Sequence, residues 1–101
     1  MLVDDIIAKI ITLTDHGKLS WELVGRNSFR AQIDNLFVSV TKAEDEFYTF
    51  KIYNEDGYDL ESSSDYGSAS SHGHLFELAR RTALKVDQNL ESLDRRLDEL
   101  I

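Results

Sequence analysis

From Leu75 to Ile101 an apolar side chain returns every three or four residues: Phe76, Ala79, Ala83, Val86, Leu90, Leu93, Leu97 and Leu100. That spacing belongs to a helix that buries one long seam. About 26 residues at roughly 1.5 Å each predict a single rod of about 39 Å. So long an element needs a long surface to lie on, and the rest of the chain has to supply it.

The chain begins with a second helical pattern. Leu2, Ile6, Ile10 and Leu13 share one face, flanked by Val3, Ile7 and Ile11, which predicts a helix over 2–14 with a broad apolar arc. Asp4 and Asp5 suit the positive end of its dipole, and Gly17 supplies a left-handed stop. An arc that wide needs cover on two sides, from a sheet and from the long C-terminal helix.

From Lys18 onward the period drops to two. Leu19, Trp21 and Leu23 alternate with polar residues, then Phe29, Ala31 and Ile33, then Leu36, Val38 and Val40, then Tyr48, Phe50 and Ile52. A two-residue turn at Asp34-Asn35 sets Ile33 opposite Leu36, Ala31 opposite Val38 and Phe29 opposite Val40. A three-residue loop at Gly25 to Asn27 sets Trp21 opposite Ala31 and Leu23 opposite Phe29. One at Ala43 to Asp45 sets Val40 opposite Tyr48, Val38 opposite Phe50 and Leu36 opposite Ile52. Every pair is apolar on apolar, which a one-residue slip would destroy. The reading is an α+β fold in two layers. It has an N-terminal helix, an antiparallel meander of four strands with a short fifth at Tyr58 to Leu60, and the long C-terminal helix packed on one sheet face. Residues 62–74, rich in Ser and Gly, read as a flexible loop within a single domain of residues 1–101. Trp21, Ala31, Val38, Phe50, Val86 and Leu90 are the expected core.

Composition narrows the function classes. No apolar run approaches the ~20 residues that cross a membrane. Asp4 and Asp5 stand where a signal peptide would carry lysines. Without cysteine there is no thiolate nucleophile and no Cys-based zinc site, and a cytoplasmic protein is expected. Nineteen acidic against eleven basic residues give a net charge of -8, which repels nucleic acid and anionic lipid alike.

Candidate chemistry is sparse. His72-Gly73-His74, with Asp65, invites a small metal-dependent enzyme, since imidazole ligates transition metals and titrates near neutrality. The spacing is wrong for a helical ligand pair, so a loop-to-helix junction is the favoured reading. The serine run lacks a nucleophile elbow, and Gly67 with Gly73 forms no phosphate-binding fingerprint. Arg80, Arg81 and Lys85 form a basic cluster that would serve a nucleic-acid binder, but acids interleave on the same helix, as on a solvated face. No catalytic residue, metal ligand or cofactor site is assigned.

Two surfaces are candidates for binding. On the outer sheet face the register puts Phe37 directly opposite Lys51 and diagonal to Tyr53. On the long helix, Leu93, Leu97 and Leu100 extend past strands of about seven residues, or roughly 23 Å. They must be covered by the first helix or by another chain.

Gly17-Lys18-Leu19-Ser20-Trp21, then the meander, then Leu75-Phe76-Glu77-Leu78-Ala79-Arg80-Arg81 with Val86-Asp87, resembles a loose group of small bacterial proteins of no known activity. The resemblance implies the order helix, strand meander, helix, and transfers no catalytic residue. In outline and acidity the chain also looks like small secretion chaperones and immunity proteins. The expected function is a non-enzymatic protein-interaction or assembly module, chaperone-, immunity- or adaptor-like. Its partner would be a protein, a second copy in a homodimer being one candidate, with no nucleic acid and no membrane involved.

Overall fold

Helix α1 (Leu2–Asp15) is followed by five strands: β1 (Glu22–Gly25), β2 (Ser28–Ile33), β3 (Leu36–Ala43), β4 (Phe47–Asn54) and β5 (Asp59–Tyr66). Two helices complete the chain, α2 (Ser71–Ala83) and α3 (Val86–Leu100). This is a computed structural model, and it describes residues 2–101. The strands form one antiparallel sheet in the order β1-β2-β3-β4-β5, the meander expected from the alternation.

The register from β1 to β3 is the expected one up to Leu23. The first turn is Arg26-Asn27 rather than Gly25 to Asn27, because Gly25 pairs with Ser28 across an irregularity. Leu23 pairs with Phe29, Ala31 with Val38 and Ile33 with Leu36. Between β3 and β4 it differs. Val40 pairs with Phe50, Val38 with Ile52, and Leu36 with Asn54. The loop is Glu44-Asp45-Glu46, one residue later than expected, with Asp45 and Glu46 at φ 59° and 55°. Moving a three-residue loop by one position shifts the pairing by two, so the side chains keep their face. That is why Trp21, Phe29, Ala31, Val38, Val40, Tyr48 and Phe50 are all buried despite the altered register.

Helix α2 lies across that face and touches all five strands, with α1 beside it. Leu75, Phe76 and Ala79 of α2 join Val3, Ile7 and Ile10 of α1 in one core. Phe76 packs edge-to-face with Phe29 and tilted against Tyr48, with centroids 5.5 Å away in each case. The buried face of α1 is rotated from the expected one. Val3, Ile7, Ile10 and Thr14 are inside, while Leu2 and Leu13 are exposed. At its end Lys18 N–H donates to the Leu13 carbonyl and Gly17 N–H to that of Thr14, with Gly17 at φ 71°. This is the Schellman closure that Gly17 was expected to allow.

Two expectations are corrected. Residues 62–74 are not a flexible loop: the serines through Tyr66 continue β5, and α2 begins at Ser71. Ser62, Ser63 and Ser64 pair with Lys51, Phe50 and Thr49, so the neighbouring strand supplies the order that composition does not. Nor is the C-terminal helix continuous or wholly packed. It breaks at Leu84-Lys85, where Lys85 takes a left-handed conformation at φ 52° and ψ 46°. Beyond the break Val86 is half-buried, Leu90 is exposed, and α3 buries no residue.

Candidate interaction site

Helix α3 projects from the body as an arm. The radius of gyration is 15.1 Å, with extents of 52 × 31 × 23 Å, against about 13 Å for an ordinary domain of ~100 residues. Among the described residues its main neighbour is α2. Its direction is braced at the break: Arg81 pairs with Asp87, Asn89 Nδ2 donates to the Leu84 carbonyl at 3.0 Å, and Asn89 N–H donates to the Lys85 carbonyl.

The expected site residues Leu93, Leu97 and Leu100 all lie on this arm, 53%, 47% and 65% exposed. With Val86 and Leu90 they form one stripe down α3. Asp87, Glu91, Asp94 and Asp98 recur at the same steps of four and three along one flank of it. Asn89 and Arg96 stand on the other flank, and Arg96 pairs with Glu99. This one-sided acidic ridge was readable from spacing alone.

A second apolar feature was not readable. Ile6 and Leu13 of α1, with Ile33, Leu36 and Ile52 of β2, β3 and β4, line an open cleft of about 260 Å³. Lys9 is the charged residue on its rim among the described residues. The lining comes from four separate elements, so no sequence pattern marks it. The outward rotation of Leu13 helps to create it.

The outer sheet face carries the other expected residues. Phe37 is paired directly with Tyr53 rather than with Lys51, because of the two-residue shift between β3 and β4. Their rings stack at 5.4 Å and 11°. Arg30 sits 5.2 Å from the Phe37 centroid and pairs with Glu22, whose bond holds the guanidinium pKa above its ordinary value. Lys51 lies opposite Ser39 and pairs with Asp59 at 3.6 Å. These groups are brought together, and largely satisfied by one another.

His72 and His74 are in the first turn of α2, on opposite sides of the surface. His72 is buried, with Nε2 3.0 Å from Ser63 Oγ and Nδ1 without a partner, whereas His74 is exposed. Asp65 is exposed on β5 and accepts from the Tyr66 N–H. Among the described residues no group of three or more His, Asp or Glu side chains converges to hold a metal ion. Ser70 caps α2: its Oγ accepts from Gly73 N–H at 3.1 Å and donates to the Gly67 carbonyl at 2.6 Å.

The basic cluster is internally paired. Arg80 bonds Glu77 through two nitrogens, and Arg81 reaches both Glu77 and Asp87. The Arg80 bond holds the Glu77 carboxyl below its ordinary pKa and raises that of Arg80 in turn. No helix among the described residues is long and apolar enough to cross a membrane. Compared with family models, curated proteins and solved structures, the chain matches none of them significantly.

Proposed function

We propose that the protein is a non-enzymatic assembly module and that α3 is its contacting element. One observation carries this reading: a braced, amphipathic helix of 15 residues leaves Leu90, Leu93, Leu97 and Leu100 of its apolar stripe exposed. A lone helix of about that length is marginal in water, and its stability comes from burying such a face. Fully burying a leucine contributes roughly 1.5–3 kcal/mol, so four half-exposed leucines leave about 3–6 kcal/mol unrealised in a single copy. The acidic surface keeps a protein with such an arm soluble.

Light scattering across a dilution series tests the proposal, on wild type and on Leu93→Glu/Leu97→Glu. Wild type is expected above the monomer mass of 11.6 kDa, and the variant is expected to be a folded monomer that still melts cooperatively, at a temperature that no longer depends on concentration. A wild-type monomer whose variant unfolds would return those leucines to the protein's own core and end the assembly reading.

A further inference from the structure

We infer that the arm of one copy seats Leu93 and Leu97 in the α1–sheet cleft of a second copy, so that two copies exchange arms. The inference rests on the assembly reading above and names the surface that receives α3.

Among the described residues two apolar features are left unfilled. One is convex, the α3 stripe, exposed from Leu90 to Leu100. The other is concave, the cleft between Ile6 and Leu13 of α1 and Ile33, Leu36 and Ile52 at the hairpin end of the sheet. The cleft of about 260 Å³ exceeds the ~150 Å³ cavity that holds a benzene ring, so it has room for one or two leucine side chains. The arm does not fill it within one copy: its leucines are exposed, and the Arg81–Asp87 and Asn89–Leu84 brace fixes its direction.

Charge favours this seat over an antiparallel pairing of α3 with α3. In that pair the Asp87 and Asp94 flank of one helix faces the same flank of the other, placing acid against acid. Across the cleft the acidic ridge instead meets Lys9 on the rim. Exchange also closes. Each copy gives one arm and one cleft about a two-fold axis, leaving neither feature open, whereas one-way docking would propagate into chains.

The test measures mass by light scattering and fold by melting temperature for three variants: arm (Leu93→Glu/Leu97→Glu), cleft (Leu13→Glu) and rim (Lys9→Glu). Wild type is expected at twice 11.6 kDa, with the arm and cleft variants as folded monomers. Mixed in equal amounts, those two should regain a heterodimer, because the cleft variant's sound arm still finds the arm variant's sound cleft. Lys9→Glu should raise the dissociation constant about two- to fivefold, and covers the case in which Leu13→Glu fails to fold. A Leu13→Glu or Lys9→Glu protein that dimerises as wild type does, beside a monomeric arm variant, overturns the seat and leaves assembly through α3 standing. Mass well above the dimer, growing with concentration, overturns the closed exchange. A wild type that is monomeric at every concentration removes the assembly reading, and this inference with it.

Discussion

The indole Nε1–H of Trp21 donates to Thr14 Oγ1 at 3.0 Å, and that hydroxyl donates in turn to the Ile10 carbonyl at 2.8 Å. One buried hydroxyl therefore joins the last turn of α1 to the chain entering the sheet. Thr14→Val keeps the shape and removes the acceptor, leaving a buried N–H unpaired at a cost of about 1–3 kcal/mol. Thr14→Ser keeps the acceptor and should cost less. Urea titration followed by Trp21 fluorescence checks both; equal midpoints for the valine and serine variants would mean that the indole bond does not form in solution.

Ser63 and His72 make a second pair, part-buried, now between β5 and α2. Removing Ser63 Oγ alone leaves the imidazole with no partner on either nitrogen, since Nδ1 already has none. Ser63→Ala is expected to cost about 1–3 kcal/mol, while Ser63→Ala/His72→Leu, which removes both polar partners, should be close to neutral. Four denaturation curves measure the coupling. A double variant as unstable as the sum of its singles would deny that the two side chains interact.

Gly73 is held by crowding rather than by backbone dihedrals. A Cβ there would lie 2.5 Å from the Gly67 carbonyl oxygen and 2.8 Å from Ser68 Cα. Both are backbone atoms of the turn that Ser70 caps, so neither can swing aside. Gly73→Ala should lower stability by about 1–3 kcal/mol, or roughly 4–20 °C in melting temperature for a domain of this size. Ala is the better helix former, so an unchanged or raised melting temperature would place that turn elsewhere.

How far the fold was legible follows from which forces act locally. Alternation and turn length set the inner face of β2, β3 and β4, and a two-residue slip between β3 and β4 left Trp21, Ala31, Val38 and Phe50 buried as expected. The same slip decided which residue Phe37 meets, because the outer face depends on register and not only on parity. The serines of β5 were opaque because their order comes from hydrogen bonds to β4, a partner that their own composition does not reveal. The α3 stripe was legible as a helix face, but periodicity cannot say whether that face is covered. The cleft was illegible altogether, since Leu13 and Leu36 become neighbours only in the folded chain.

Glu77 provides a pH signature. Its bond to Arg80 holds the folded carboxyl below the ordinary value of 4.5. A depressed folded pKa stabilises above the unfolded pKa, and that contribution disappears as pH falls through the folded value. Glu77→Gln should therefore be less stable than wild type at neutral pH, by only about 0.2–1 kcal/mol because the pair is solvent-screened. The gap should close in acid, below the usual carboxylate range. Melting curves at several pH values decide it, and a gap independent of pH would assign the loss to something other than the Glu77 charge.

Lys85 tests the break itself. A non-glycine residue at φ 52° and ψ 46° carries a left-handed penalty of roughly 1–2 kcal/mol, which glycine does not. After glycine's larger loss of chain entropy on folding, Lys85→Gly should stabilise the protein by about 0.5–1 kcal/mol. In a continuous helix the same substitution falls mid-element and destabilises by about 0.8–1 kcal/mol. The sign of one melting-temperature shift thus separates an arm that turns away at Leu84-Lys85 from the unbroken rod that the apolar spacing alone predicts. Lys85→Ala is the control: it keeps the left-handed strain if the break is present, and would be mildly favourable in a rod. A stabilised glycine variant with an alanine variant at or below wild type would fix the geometry on which the exposed stripe of α3 depends.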